Sequence, residues 1–468
     1  MKRKEMFSFL LLLLFMLLFF NCFAENVYET SAIDGEWFVE FNSNDIGWAQ
    51  TVLTFNTNGN EFYAHTRKNA TNDILGFWKS SFAKMFTKGF KHGALLNITD
   101  GILETKDDKI VLRAIFRSAV GNYYFNGEIK NETLTAELIS VNDQHKGTIT
   151  GYKANKKLPL FDYPKIIAEA LVMTDKKVFN REIFTTKEWK VFEKKIRKNS
   201  LKMKDDVEMV FSFYYFAGNL PMSHYSLLRS FPTDKTQSEL RAEIKNNVYL
   251  EQKSDKTAYL EIKSFMGSAA EIDSVFSVIK KGKYENLIVD LRNNTGGFVD
   301  PGMEFARNVV DTTIVGGIFL TQKWYNEHQY IPTLEQYGEF MHFSESNYDM
   351  LIAGIHEEMG LVLEVVPSKD YFAGNVFILT NQSTASTCEP IVYSLKKAKQ
   401  ATIVGEKTAG AMMNGETFEL SNNYALIVPT ADYFASDGYR IDQNGVLPDI
   451  EVPEAEALEY VLKNLIAD

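Results

Sequence analysis

Residues 376–391 read VFILTNQSTASTCEPI, and this stretch contains the chain's clearest pattern of a strand, a corner and a helix. It begins with an apolar run at 376–379 and continues through small and polar residues to Pro390, after which apolar residues recur at helical spacing. Proline is favoured in the first turn of a helix, where its missing N–H would have no intrahelical partner. The stretch therefore predicts a buried strand, a tight corner and a helix that begins near Glu389.

The corner is the first candidate for chemistry. Cys388 and Glu389 are predicted to lie there, beside free backbone N–H groups and the positive end of the helix. Such surroundings stabilise a thiolate and also the oxyanion that forms when it attacks a carbonyl group. Cys388 is therefore the preferred nucleophile, and Ser386, two residues earlier, is the competing one.

Two more stretches predict buried strands that end in glycine turns. Residues 286–297 read NLIVDLRNNTGG, and residues 401–410 read ATIVGEKTAG. Consecutive glycines let backbone N–H groups point outward in conformations that other residues avoid. We therefore expect an oxyanion hole from the N–H groups of Gly296 or Gly297 together with N–H groups near Cys388.

These motifs resemble the tail-specific, or carboxyl-terminal-processing, serine peptidases. The resemblance rests on 290–297, on the small-residue run that ends at Glu389, on GEKTAG at 405–410 and on GVLPDIEV at 445–452. It covers roughly residues 257–455. It implies an α/β core of the ClpP/crotonase-like type, in the tricorn-like or retinoid-binding-repeat-like branch without a PDZ module. It also implies hydrolysis of peptide bonds through a covalent acyl-enzyme.

The resemblance leaves the identity of the base open, because the family's usual Ser–Lys dyad is absent. Ala411 stands where the family carries its Lys, and Cys388 stands where we expect a Ser directly before the motif Glu. The tricorn-like branch supplies another base, which here is His224 in the pair Ser223-His224. Lys407 is a weaker alternative base.

An acid is expected to orient this imidazole. Asp442 lies where tricorn-like members carry a Glu, and it would act on His224 directly or through Ser223. The site residues indicated by the resemblance are thus Cys388 or Ser386, with the sequence neighbours and partners Ser223, His224, Glu389 and Asp442. The alternative is a catalytically inactive protein on the same fold that holds a peptide or an apolar ligand, which the loss of Ser and Lys favours. A further alternative is a scaffold protein whose function lies in its N-terminal domain.

The 468-residue chain is predicted to be an α+β, multidomain protein. Its parts are a signal peptide at 1–24, a β-rich N-terminal domain at 25–155, a helical segment at 160–230 and the α/β peptidase core at 231–468. The second part is predicted to be an antiparallel β barrel or sandwich, since short strands alternate there with turn signals. These strands are 35–41, 50–56, 61–65, 110–116, 123–129, 133–139 and 146–153.

The N-terminus is typical of a secretory signal. Basic residues at 2–4 precede an apolar run at 6–20, and cleavage is expected after Ala24. We therefore expect an exported protein, periplasmic or extracellular. A membrane-anchored lipoprotein acylated at Cys22 is the less favoured alternative. Cleavage would leave Cys388 as the one thiol, either reactive or a small buried core residue.

The expected partner is a peptide or protein substrate. A formal net charge of −11 and the lack of a basic stripe argue against nucleic acid. No metal or other cofactor is expected, because His65, His92 and His145 lack metal-ligand spacing and 356–358 (HEE) lacks a second His. The insertion at 323–370 is predicted to form a lid or a substrate wall.

Overall fold

The structure is a computed structural model that describes residues 33–43, 47–86, 88–118, 121–140, 145–154, 161–230, 244 and 247–466. The predicted signal peptide, with Cys22, lies outside the described residues. The chain divides into two compact units, Met1–Phe161 with Lys202–Ser212, and Asp162–Leu201 with Phe213–Asp468. The predicted domain boundaries stay predictions. None of the helices in the described ranges is long and apolar enough to cross a membrane.

The first unit is a closed antiparallel barrel in which β8 returns to pair with β1. Side chains alternate between interior and solvent along its strands, so the apolar set fills the barrel with rings such as Trp37, Phe55 and Phe125. This closure decides between the predicted barrel and sandwich. The strands are β1 Gly35–Ser43, β2 Gly47–Asn58, β3 Glu61–His65, β4 Asn97–Lys106, β5 Lys109–Arg117, β6 Asn122–Lys130, β7 Thr133–Ile139 and β8 His145–Lys153.

Strand β4 is absent from the predicted strands. An Asp-Gly pair is typical of a turn, but Asp100-Gly101 lies inside β4. The pairing with β5 shifts register between Thr99 and Ile102, and Asp100 has a φ of 56°. The pair therefore forms a β-bulge within a continuous strand.

An insertion separates β3 from β4. It contains helix α1 Ala70–Leu75, helix α2 Phe77–Phe86 and a short 3-10 helix, Lys88–Gly93. Three longer helices follow the barrel in the chain, in the predicted helical segment. They are α3 Tyr163–Lys177, α4 Lys187–Ser200 and α5 Asp206–Ala217.

The second unit contains a sheet of order β10-β11-β12-β16-β17-β20, in which β11, β12, β16 and β17 run parallel. Parallel strands bring their carboxyl ends to one edge. The loops that follow β12, β16 and β17 therefore meet there. These strands are β10 Val248–Ser254, β11 Thr257–Ile262, β12 Asn286–Asp290, β16 Asn375–Thr380, β17 Thr402–Gly405 and β20 Ile450–Glu451.

A second sheet of this unit has the order β14-β15-β13-β19-β18, with β9 also paired to β19. The insertion 323–370 contributes β14 and β15 to this sheet, so it is built into the wall of the unit. The strands are β9 Ser226–Arg229, β13 Ile314–Thr321, β14 Met341–Phe343, β15 Gly360–Val365, β18 Met413–Glu419 and β19 Tyr424–Ala435.

Helices pack against these sheets, and most of them share an apolar core that includes Phe276, Phe305, Ile378 and Tyr433. The two shortest of these helices contribute Trp324 and Ala457 to separate apolar clusters. The helices are α6 Ala269–Gly282, α7 Val299–Arg307, α8 Gln322–Glu327, α9 Tyr348–Glu357, α10 Cys388–Lys397 and α11 Ala457–Tyr460. The predicted strand, corner and helix in 376–391 are thus present as β16, a turn and α10. The α+β fold class with an α/β peptidase core is confirmed.

Candidate active site

Ser386 lies at the sharp turn between β16 and α10. Its backbone is left-handed, with a φ of 54°. A non-glycine residue adopts this conformation only where its surroundings hold it. Here the N–H of Ala385 donates to the Asn294 carbonyl at 3.0 Å, and the N–H of Ser386 donates to the Glu389 carboxylate at 3.1 Å. The turn presents Ser386 to a cleft that His224 also lines.

His224 is the partner of Ser386. Its Nε2 lies 3.2 Å from Ser386 Oγ, and its Nδ1 lies 2.8 Å from Ser223 Oγ. If Nε2 accepts the hydroxyl proton of Ser386, Nδ1 carries the ring proton and donates it to Ser223. The three side chains thus form a chain of hydrogen bonds in which the imidazole is oriented on both sides.

Asp442 supports this chain from a fully buried position. Its carboxylate accepts the N–H of Ser223 at 3.3 Å and the N–H of Met412 at 3.1 Å, and Arg440 Nη2 lies 3.4 Å away. Asp442 therefore fixes the backbone of Ser223, and its effect on His224 through Ser223 stays a prediction. Burial lowers the pKa of His224 below its ordinary value, while the charge of Asp442 acts in the opposite direction.

Cys388, the preferred nucleophile from sequence, faces the core. Its side chain is fully buried, and Sγ donates a weak hydrogen bond to the Asn294 carbonyl at 3.5 Å. Burial raises the pKa of this thiol far above its ordinary range, with a smaller contribution from the charge of Glu389. The preference for Cys388 over Ser386 is therefore corrected by the geometry, which brings His224 to Ser386.

Glu389 organises the turns around the site. Its buried carboxylate accepts hydrogen bonds from Thr408 Oγ1 at 2.6 Å, Gly410 N at 2.7 Å, Ala411 N at 2.8 Å and Ser386 N at 3.1 Å. Burial raises its pKa, and these donors partly offset that effect. Glu389 thus ties the Ser386 turn to the turn after β17, and it is a positioning residue. Its own N–H and that of Cys388 are engaged with the Ser386 and Ala385 carbonyls, contrary to the expectation of free N–H groups there.

The double glycine lies against the Ser386 turn. A Cβ on Gly296 would lie 2.6 Å from the Cβ of Ser386, and one on Gly297 would lie 2.3 Å from the carbonyl carbon of Phe265. Both residues also have positive φ angles, 95° and 144°. Only glycine therefore fits at either position.

The N–H of Gly296 is already used, because it donates to Asn294 Oδ1 at 2.9 Å. Within the described residues, the N–H groups of Gly297 and Thr387 have no acceptor. Thr387 Oγ1 donates to the Gly297 carbonyl at 2.7 Å and so holds the two N–H groups near each other. The candidate oxyanion hole is therefore Gly297 with Thr387.

Thr387 was missed from the sequence. It directly follows Ser386 on a strand–turn–helix corner, which is where acyl-transfer enzymes often place an oxyanion donor. This position indicates an oxyanion donor when Ser386 is taken as the nucleophile, but the sequence favoured Cys388.

The cleft beside Ser386 has a volume of about 350 Å³. It is lined by His224, Ser386, Thr387 and Gly297, and its remaining lining is largely apolar. Six of the apolar side chains are Met303, Val310, Phe319, Leu351, Leu363 and Ile391. Leu351 and Leu363 come from the 323–370 insertion, which thus supplies part of the predicted substrate wall. The arrangement can attack a carbonyl carbon next to a side chain that the cleft encloses.

Part of the chain is similar to known peptidases. Residues 256–452 match the model of Peptidase family S41. A carboxyl-terminal-processing protease of Picosynechococcus sp. is 26% identical over 213 residues, 45% of this chain and 42% of the relative. One of Synechocystis sp. is 25% identical over 203 residues, 43% of this chain and 39% of the relative. The match thus spans less than half the length of either relative.

Among solved structures, a putative peptidase from Parabacteroides merdae is similar at 17% identity and a TM-score of 0.45. That similarity covers 65% of this chain and 97% of the other. The family match encloses β11 to β20, and with them Ser386, Glu389, Asp442 and the double glycine. Residues 256–452 of this chain are thus similar to Peptidase family S41, and carboxyl-terminal-processing proteases are among the proteins that this part of the chain resembles.

Proposed function

We propose that this protein is a serine peptidase that hydrolyses peptide bonds through a covalent acyl-enzyme. Ser386 is the nucleophile and His224 is the base. The observation that carries the proposal is the 3.2 Å separation between Ser386 Oγ and His224 Nε2. The match of residues 256–452 to Peptidase family S41 supports the same reaction class.

In the first step Ser386 Oγ attacks the carbonyl carbon of the scissile bond while His224 Nε2 takes the hydroxyl proton. The carbonyl oxygen becomes an oxyanion, which the N–H groups of Gly297 and Thr387 stabilise. His224 then gives the proton to the departing amine, and the C–N bond breaks. A water molecule, deprotonated by His224, attacks the acyl-enzyme and releases the second product with Ser386 restored.

His224 is suited to this role because burial lowers its pKa, so the neutral imidazole predominates at neutral pH. Its ring proton on Nδ1 is held by Ser223, whose backbone is held by Asp442. Ser223 and Asp442 are positioning residues in this scheme. Ala411, at the family's Lys position, has no part in proton transfer.

The substrate is a peptide or protein with a large apolar side chain next to the scissile bond. The apolar cleft opens directly beside Ser386 and His224, so this side chain is enclosed when the carbonyl reaches Ser386. The inactive-protein alternative rested on the loss of a Ser nucleophile and a Lys base. The pair Ser386 and His224 supplies both roles, and the alternative is not retained.

Export remains part of the proposal, because the basic and apolar N-terminus is typical of a cleaved signal. N-terminal sequencing of the protein purified from its own cells tests this point. A mature chain that begins at residue 25 supports export with cleavage after Ala24. A chain that begins with an acylated Cys22 indicates the lipoprotein, and an intact residue 1 contradicts both.

The peptidase proposal is tested by labelling with a fluorophosphonate probe, which reacts with activated serines and needs no known substrate. We expect labelling of the wild type, loss in Ser386→Ala and at least ~100-fold slower labelling in His224→Ala. Cys388→Ala and Ser383→Ala, the latter an exposed serine on the same turn, are the matched controls and should label normally. Labelling that survives Ser386→Ala, or that Cys388→Ala abolishes, contradicts the assignment.

A further inference from the structure

Helix α2, Phe77–Phe86, turns its apolar side chains outward. The exposed fractions are 66% for Phe77, 84% for Trp78, 65% for Phe82 and 73% for Met85. At 100° per residue these four positions fall on one side of the helix. Helix α2 thus presents an apolar face to solvent, with Ser81 as the polar residue within it, which is the reverse of an ordinary surface helix.

The opposite side of α2 holds this orientation through polar contacts. Ser80 is fully buried, and its Oγ lies 2.6 Å from Thr71 Oγ1. Thr71 also contacts the Gly93 carbonyl at 3.2 Å, and Lys84 Nζ donates to Asn72 Oδ1 at 3.1 Å. The outward apolar face is therefore fixed by hydrogen bonds on the inner side of the helix.

The charge around α2 differs from that of the whole chain. Residues 66–93 contain six cationic side chains and a single carboxylate, Asp73, in a chain whose formal net charge is −11. Asp73 is itself paired with Arg67 at 3.0 Å and Lys202 at 3.2 Å, and Arg67 is also paired with Glu208 at 2.6 Å, so the cationic excess of the segment comes from its five lysines. The exposed apolar face thus lies within a cationic segment, and this combination matches an anionic lipid surface.

We propose that α2 is an interfacial helix that binds the surface of an anionic lipid bilayer. Phe77, Trp78, Phe82 and Met85 enter the boundary between headgroups and acyl chains, while Lys79 and its cationic neighbours meet the lipid headgroups. A helix of ten residues is about 15 Å long. It is too short to span a bilayer and lies in the plane of its surface. The inference is independent of the proposed peptidase activity.

The tryptophans of the chain allow a specific test. Of its five tryptophans, Trp37, Trp48, Trp189 and Trp324 are between 1% and 6% exposed, whereas Trp78 is 84% exposed. The full chain is titrated with vesicles of 30% phosphatidylglycerol in phosphatidylcholine. We expect a blue shift of tryptophan emission and quenching by brominated acyl chains, both lost in Trp78→Phe. Both readouts depend on Trp78, so insertion of the apolar run at 6–20 into the bilayer would not by itself produce them.

Variants test the apolar face and the charge separately. Phe77→Ser with Met85→Ser should weaken the partitioning measured through Trp78 by at least ~10-fold. Lys79→Gln should weaken it about fivefold, and salt should weaken the wild type in the same direction. Leu201→Ser is the matched control, because Leu201 is as exposed as Met85 at 73% and should leave binding unchanged.

Circular dichroism and labelling at Ser386 report whether each variant is folded. The proposal is overturned if folded wild type shows no Trp78 shift with these vesicles, or an equal shift with pure phosphatidylcholine. It is also overturned if the protein forms a dimer in which Trp78 is shielded from acrylamide quenching, and if the double variant Phe77→Ser with Met85→Ser dissociates that dimer. That result would assign the face to a second copy of the chain.

Discussion

Ser386 and Cys388 are two residues apart, but their side chains have different surroundings. Ser386 lies in the left-handed turn and faces the cleft, whereas Cys388 begins α10 and faces the core. Cys388, Val392 and Leu395 recur at helical spacing and are all in the same apolar core. That spacing is visible in the sequence and favours a packing role for the thiol over a catalytic one.

Glu389 provides the first prediction at this scale. The carboxylate of Glu389 accepts hydrogen bonds from four donors, in Gly410, Ala411, Ser386 and Thr408. Glu389→Gln would turn an NH₂ group toward at least one of these donors. We expect a loss of about 2–4 kcal/mol in the free energy of unfolding, because a buried donor is left unsatisfied. Urea denaturation measures it, and Glu419→Gln, at the exposed end of β18, is the control. A loss below ~1 kcal/mol would contradict this role.

Asp442 provides the second prediction. His224 must be neutral to act as a base, and burial lowers its pKa from 6.5 while Asp442 raises it. The rate of serine labelling should therefore increase as pH rises through a pKa below 6.5 and then level off. Asp442→Asn removes the raising effect, so this acid limb should move to lower pH, with a plateau about tenfold lower because Ser223 is less well held. A limb that moves to higher pH would contradict the assignment.

At the scale of elements, three parallel strands bring the loops of the site to one edge, and His224 reaches them from the segment just before β9, which pairs with β19. The pairing of β18 with β19 shifts register between Asn414 and Gly415. A Cβ on Gly415 would lie 2.9 Å from the Cβ of His224 and 3.0 Å from its Cδ2. This irregularity in β18 therefore leaves space for the imidazole, and Gly415 is a positioning residue that no sequence motif marked.

Gly415→Ala should displace His224 from Ser386. We expect serine labelling to slow by about 10- to 100-fold, since a 1 Å misplacement of a catalytic group has an effect of this size. The free energy of unfolding should change much less than the activation free energy of labelling. Gly338→Ala is the steric control, because no atom lies within 4 Å of a Cβ at that position and its φ is not positive. Unchanged labelling in a folded Gly415→Ala protein would contradict the role of Gly415 in positioning His224.

Thr387→Val tests the link between the two turns of the oxyanion hole. Valine keeps the shape of threonine but loses the hydrogen bond to the Gly297 carbonyl. The turnover rate should fall about tenfold with little change in KM for a peptide substrate, because the oxyanion hole stabilises the transition state more than the bound substrate. An equal effect on KM would indicate a role in substrate binding.

At the scale of the whole molecule, stability should depend on acids buried away from the cleft. In the first unit Asp205 is buried and accepts hydrogen bonds from Thr51 Oγ1 at 2.6 Å and Glu208 N at 2.9 Å. Burial, and after it the charge of Glu208, raises the pKa of Asp205 to about 7 from 3.8. The folded protein therefore binds this proton more tightly than the unfolded chain does.

A carboxyl group with a raised pKa contributes stability below its unfolded pKa and loses it as pH rises through the folded pKa. The thermal stability of the wild type should thus include a decrease between pH 4 and pH 7 that Asp205→Asn lacks, since asparagine stays neutral. We expect the melting temperature of the wild type, relative to that of the variant, to fall by a few °C between pH 4 and pH 7. Exposed Asp255→Asn is the control. Parallel pH profiles for wild type and Asp205→Asn would contradict this prediction.

The sequence by itself determined the local elements and the motifs. Apolar runs and glycine turns predicted β12, β16 and β17, and Pro390 predicted the start of α10, because strand and helix periods and turn residues act over a few positions. The motifs also predicted Ser223, His224, Asp442 and the double glycine as site residues. The Asp100-Gly101 pair indicates a turn in the sequence although it forms a β-bulge, because turns and bulges both contain a residue in the left-handed conformation.

Only the tertiary structure decided which of these residues meet. His224 lies 162 positions before Ser386, and their 3.2 Å separation depends on β18, β19 and the turn after β12 packing together. Exposure was decided in the same way, since Cys388 is buried by the core and Trp78 is turned outward by the contact between Ser80 and Thr71. The physical reason is that side-chain direction at a corner, and the packing of distant elements, depend on long-range contacts that no local pattern encodes.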